Sequence, residues 1–173
     1  MKKSEIIENI LNGKIFIYPT DTLYGIGCNA MNKASVEKIR EIKGRDKKPF
    51  SVIAPNIFWI KDNLIVDCDL EKYLPGPYTV ILKKKDPTFL KHVAEGDTLG
   101  IRIPQHEFTK LVQRAAVPFI STSVNLSGQP SVLSLVDIPK EIEDKVDFII
   151  ENQGEMSGVP STLVINGNKV PRK

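Results

Sequence analysis

Three short clusters of hydroxyl side chains each follow an apolar run: Pro19-Thr20-Asp21-Thr22, the stretch STSVNLSGQPS from Ser121 to Ser131, and GVPST from Gly158 to Thr162. Hydroxyls and an amide can donate to anionic oxygens and can meet a ribose or a base without adding charge. Any one cluster alone is equally well read as a side-chain-capped turn. Their recurrence after apolar runs points to a site, because α/β sheets build binding sites from the loops at strand ends. Cations are also present. Lys43, Arg45, Lys47 and Lys48 crowd into IKGRDKKP, and Arg102 lies between Ile101 and Ile103. A guanidinium forks onto phosphate or carboxylate oxygens and an ammonium adds a mobile charge, so Lys43 and Arg45 around Gly44 suit a polyphosphate. The same cations at a helix C-terminus would equally make a solvated cap. Arg102 becomes a ligand only if its side of the strand faces a polar cleft.

Other chemistries fit less well. Gly25 to Ala30, GIGCNA, matches the loosest dinucleotide fingerprint, but PTDTLY separates it from the preceding strand and the region that should end in an acidic residue is basic KGRDKK. Close packing explains Gly27 better. No nucleophile-base pair stands out, and no histidine falls inside the polar clusters. Two cysteines without CxxC spacing and two histidines indicate neither a zinc site nor a disulfide scaffold, which fits a reducing, cytoplasmic setting. No run is apolar enough for a membrane span, and Glu5, Glu8 and Asn9 interrupt the one signal-like start.

The elements that must position these residues follow from periodicity. Ser4 reads as the N-cap of a first helix carrying Ile6, Ile7, Ile10 and Leu11, with Gly13 as its stop. Lys14 to Tyr18 reads as a buried strand, and Asn32 caps a helix striped by Val36, Ile39 and Ile42. Further strands are expected at 50–54, 78–83, 99–103, 117–122, 146–151 and 162–165. Helices are expected after Pro55 through Trp59, near 69–74, and from Pro104 to about Ala115. Interleaved helices and strands in 173 residues argue for one α/β domain spanning residues 1–173, with some antiparallel pairing around PGP and the late strands.

The motifs PTDTLYGIG, IKGR, PGPYTVILK, GIRIP, STSVNLSG and GVPSTLV occur in the order seen in the YrdC-domain family, the L-threonylcarbamoyladenylate synthases of tRNA modification. The chain resembles that family from about residue 5 to 172. The resemblance implies a twisted mixed parallel/antiparallel sheet with flanking helices and a basic concave cleft. It also implies conversion of ATP, L-threonine and bicarbonate, with Mg²⁺, to threonylcarbamoyl-AMP and pyrophosphate. The product would feed a separate threonylcarbamoyl transferase complex, and weak tRNA or double-stranded RNA binding is compatible with it. By motif, Thr22, Ser121, Ser161 and Arg102 correspond to threonine contacts. Lys43 and Arg45 correspond to the catalytic basic pair, which also meets ATP, and Ser123, Asn125, Ser131 and Arg172 to ATP contacts. The sequence departs from the family in lacking a histidine soon after KGR, in Val124 where alanine is usual, and in its VPRK ending. The resemblance leaves two alternatives: a carbamoyl-adenylate-forming paralogue like the domain of hydrogenase maturation factors, and an RNA-binding module without catalysis.

Overall fold

The computed structural model describes residues 1–45 and 47–170, so the expectation for Arg172 lies outside the described residues. In chain order come α1 (Lys3–Leu11), β1 (Phe16–Tyr18), β2 (Gly25–Gly27), α2 (Lys33–Lys43), β3 (Ser51–Ile53), α3 (Ile57–Asn63), β4 (Leu64–Ile65) and β5 (Tyr78–Lys84). Then follow β6 (Thr98–Arg102), α4 (Glu107–Ala115), β7 (Phe119–Ser123), α5 (Lys140–Glu143), β8 (Phe148–Ile149), β9 (Thr162–Ile165) and β10 (Asn168–Val170). Among the described residues these strands form one sheet in the order β10-β9-β5-β6-β3-β7-β2-β1-β8, with β4 added to the end of β5. The pairs β1·β8, β3·β6 and β5·β9 are parallel and the others antiparallel, so the sheet is mixed as expected.

Alternation along the strands sends successive side chains to opposite faces. Ile15, Ile17, Val52 and Ile120 join one core with the α2 stripe Val36, Ile39 and Ile42. Their neighbours Phe16, Tyr18, Ile53 and Phe119 join a second core with Ile6 and Ile10 of α1 and Phe108, Leu111 and Val112 of α4. Aromatic packing binds this second core: Tyr18 stacks on Phe108 with ring centres 4.6 Å apart, and Phe119 meets both rings edge-on at 5.4 and 5.7 Å. Tyr18 also donates from its hydroxyl to Ile120 O at 2.9 Å. Gly27 belongs here by close packing, since a Cβ on it would come 2.0 Å from Ile120 O.

The second core covers only part of its face. Two residues from Ile53 on β3 comes Ser51, two from Phe119 on β7 comes Ser121, and Ser51 is paired with both Ser121 and Gly100. Small residues therefore occupy the face beyond α1 and α4, where bulky ones would have filled it.

Several boundaries differ from the sequence reading. α1 starts at Lys3, with Lys2 rather than Ser4 in the cap position and Lys2 N donating to Glu5 Oε2. Pro104 does not open α4; His106 caps it, its Nδ1 accepting from Phe108 N, while Gln105 N is used elsewhere. The helix after Pro55, capped by Asn56 through Trp59 N, continues past Trp59 to Asn63. The helix expected near Asp69 is only a 3-10 turn, Leu70–Lys72. Gly25–Gly27, expected within a loop, is strand β2, and β4 and β10 are additional short strands. No helix of the described residues is long and apolar enough to cross a membrane.

Candidate active site

The open part of the second face is the floor of a cleft of about 500 Å³. Ser51, Thr79, Ile81, Ser121 and Leu163 rise from the sheet, while Thr20, Thr22, Arg45, Arg102, Ser123, Ser131 and Ser161 form its walls. The three hydroxyl clusters thus converge although 98 residues lie between the first and the second and 26 between the second and the third. Strand ends produce this: β1 ends at Tyr18, so PTDT begins where its ladder stops, Ser121 to Ser123 are the last ladder residues of β7 with the rest of their cluster beyond its end, and GVPST leads into the start of β9.

The PTDT loop is ordered by its own side chains. Thr20 Oγ1 accepts from Thr22 N and Leu23 N, donates to Leu23 O at 2.7 Å, and lies 2.9 Å from Thr22 Oγ1. The capped-turn reading is therefore right for Thr20, and the same turn sets Thr22 against the cleft. Asp21 ties three segments together. Its Oδ1 accepts from Arg102 Nη2 at 3.0 Å, its Oδ2 from Gln105 N at 2.9 Å, and its backbone O from Ser157 N at 3.0 Å. Arg102 Nη2 also reaches Thr22 Oγ1 at 3.0 Å. Arg102, only 8% exposed, is thus held on the cleft side of β6, as the cleft reading required.

The KGR segment divides its labour. Gly44 takes φ of +58° as the left-handed residue ending α2, a conformation that costs glycine least. This bend sends Lys43 and Arg45 different ways. Arg45 lines the cleft, donating to Pro49 O at 2.8 Å and reaching Thr122 Oγ1 at 3.4 Å, with its guanidinium 5.1 Å from the Phe50 ring centre. Its Nε is buried without a hydrogen-bond partner among the described residues. Lys43 is 1% exposed and sits behind the cleft wall. Its Nζ donates to Ser123 O, to Asn125 O at 3.0 Å and to Asn125 Oδ1 at 2.9 Å. Burial, and then the charge of Arg45, bring its ammonium down to about 7. Burial followed by Arg40 likewise lowers the Arg45 guanidinium.

Asn125 is turned away from the cleft. Its Oδ1 accepts from Lys43 and from Ser123 Oγ at 2.7 Å, and its Nδ2 donates to Gln129 O at 2.6 Å. It shapes the STSVNLSG loop around Ser123. Val124, at the alanine position of the family pattern, is fully buried in the larger core. Val124→Ala is expected to cost about 2 kcal/mol, seen as a lower urea midpoint at unchanged slope.

The residues that sequence reasoning missed are Ser51, Thr79 and Gly100, each inside a strand. A Cβ on Gly100 would come 2.5 Å from Ser51 Oγ and 3.2 Å from Thr79 Cγ2. Their available signal was a single small or hydroxyl residue inside each otherwise largely apolar strand. Asp21 was visible but read only as a turn residue.

A family model for the Sua5, YciO and YrdC domain, described as telomere recombination, matches residues 8–172. The chain belongs to the Sua5/YciO/YrdC family. A protein of Methanocaldococcus jannaschii is 38% identical over 162 residues, covering 91% of this chain and 76% of the relative. The threonylcarbamoyl-AMP synthase of Pyrococcus abyssi is 32% identical over 164 residues, covering 90% of this chain and 48% of the relative. The crystal structure of Pyrococcus abyssi Sua5 complexed with L-threonine superposes with a TM-score of 0.80 at 29% identity, over 95% of this chain and 52% of that one. This Sua5/YciO/YrdC domain therefore spans about half the length of those longer relatives.

Proposed function

We propose that the chain is a threonylcarbamoyl-AMP synthase domain, joining ATP, L-threonine and bicarbonate into threonylcarbamoyl-AMP and pyrophosphate. The observation that carries this is the convergence of PTDT, Arg45, Arg102, STS and Ser161 on one cleft. The names of its family relatives support the substrates. Bicarbonate gives up water to become CO2, the threonine amine adds to it and loses a proton to form a carbamate, and a carbamate oxygen then bonds to the α-phosphorus while the α-β bridge breaks and pyrophosphate leaves. Such transfer needs alignment and charge neutralisation rather than a covalent enzyme group.

The position of each side chain supports the following roles within this proposal. Thr22, Ser121, Ser161 and Arg102 hold threonine, with Arg102 facing its carboxylate. Arg45 faces the phosphates, and Ser123 and Ser131 the nucleotide. Lys43 and Asn125 act from behind, by fixing Ser123. Mg²⁺ enters as part of the MgATP substrate: the described residues contain no cluster of three or more histidine, cysteine or acidic groups able to hold a metal, and Asp21 is committed to Arg102 and Gln105. A cytosolic setting, with Cys28 and Cys68 as thiols, and delivery of the product to a separate tRNA-modifying transferase belong to the same reading.

The test is pyrophosphate release from MgATP with threonine and bicarbonate omitted in turn, and mass detection of the adenylate. Release requiring both, with threonylcarbamoyl-AMP formed, is the expected result. ATP turnover indifferent to threonine would remove the substrate assignment. An affinity for RNA that is steep in salt, with no turnover at all, would instead make the chain a binding module.

A further inference from the structure

The part of the cleft floor built by β5 and β9 carries three side chains to which the roles above give no part: Thr79, Ile81 and Leu163. Thr79 Oγ1 and Ser161 Oγ lie 2.7 Å apart and both residues are buried. Two positions along the same face of each strand come Ile81 and Leu163, half-buried and lining the same cleft. Because β5 and β9 are parallel and Thr79 pairs with Leu163, the hydroxyl pair and the aliphatic pair are adjacent steps of one surface. Thr79 cannot readily turn. Its Cγ2 faces the space over Gly100, where even a Cβ would stand only 3.2 Å away, and its hydroxyl is directed to Ser161. A β-branched side chain on a strand has few χ1 alternatives, so the hydroxyl is presented in a fixed direction.

We propose that Thr79, with Ile81 and Leu163 beside it, reads the β-carbon of the amino-acid substrate: the substrate hydroxyl meets the Thr79–Ser161 pair and its methyl lies on the two aliphatic side chains. This rests on the threonine-dependent function proposed above and adds the residues that set its selectivity. Threonine satisfies both halves of the surface. Valine brings the methyl but leaves buried hydroxyls facing carbon, and serine brings the hydroxyl but leaves the aliphatic half uncovered. A lost hydrogen bond in a site built for one discriminates more strongly than a lost methyl. The surface therefore rejects valine more sharply than serine.

The experiment compares kcat/KM for threonine, valine and serine by pyrophosphate release in the full chain and in Thr79→Val, Thr79→Ser and Ile81→Ala. Thr79→Val keeps the shape and removes the hydroxyl. It is expected to lower the threonine-over-valine ratio about 10- to 100-fold, with the KM for ATP changed by less than about two-fold. Thr79→Ser is expected to keep that ratio within about three-fold, and Ile81→Ala to lower the threonine-over-serine ratio about 10-fold. A Thr79→Val protein with a normal KM for ATP and an unchanged threonine-over-valine ratio overturns the assignment. If Thr79→Val does not fold, Ile81→Ala decides, and an unchanged threonine-over-serine ratio overturns it. Release by the unaltered chain that ignores threonine overturns the function itself and this assignment with it, whereas threonine dependence with unchanged ratios removes this assignment alone.

Discussion

Arg102→Met is expected to lower threonine-dependent pyrophosphate release by about two to three orders of magnitude and unfolding stability by about 3 kcal/mol. The two effects have separate causes. The first is loss of the cation proposed to face the threonine carboxylate, so it is read in kcat/KM for threonine at saturating ATP. The second follows because Arg102 is 8% exposed and its removal leaves Asp21 without its partner at 3.0 Å. Asp21 would still accept from Gln105 N, which keeps the PTDT loop from opening entirely. In Arg102→Met/Asp21→Asn the stability should largely return, since a neutral amide no longer leaves a stranded charge. Activity should not return. A single variant that loses stability yet keeps turnover within a few-fold would show that Arg102 is a strut and not a ligand.

The second large effect is one of pH. With the Lys43 ammonium brought down to about 7 from an ordinary 10.5, the folded chain sheds this proton before the unfolded chain does. Below pH 7 both states hold it and the cost of burying the charge is present in full. From pH 7 toward 10.5 the unfolded state binds more protons, so stability from this group rises, by on the order of 1.4 kcal/mol per pH unit at most. Tyr18 opposes it only later. Burial, partly offset by Ser121, pushes its hydroxyl up to about 12, so its contribution falls only above the ordinary tyrosine value of 10. Urea denaturation between pH 7 and about 8.5, below the range where the buried Cys28 thiol, pushed up by burial, opposes the rise, should therefore show rising stability in the unaltered chain and a much flatter profile in Lys43→Met. Equal slopes would mean that the three oxygen acceptors keep Lys43 charged. Lys43→Met should also slow turnover, because Ser123 O and Asn125 O lose the donor that fixes the loop.

How much of this was legible in the sequence follows from what each residue answers to. α2 could be bounded from Asn32 to Gly44 because its cap, its apolar stripe and its left-handed exit are local properties. The hydroxyl clusters were legible for the same reason, and their motif order carried the family. What they did individually was not. Lys43 and Arg45 look alike in IKGRDKKP, and only the bend at Gly44 separates a buried strut from a cleft cation. Asn125 carries polar groups suited to a ligand, yet Lys43, Ser123 and Gln129 occupy them. Ser51, Thr79 and Gly100 gain meaning only from cross-strand register, which the chain does not display in one dimension. The start of α4 moved from Pro104 to His106 because Gln105 N is claimed by Asp21, a residue 84 positions away.

The floor of small residues has a consequence for how the chain unfolds. Its members come from β3, β5, β6 and β7, and its walls from loops near both ends of the described chain, so no fragment or partly opened sheet can reproduce the surface. Any ligand of the cleft then favours only the completely assembled state. Occupancy should raise protection against hydrogen exchange through the central strands as one unit, while β10, at the outer edge and away from the floor, responds less.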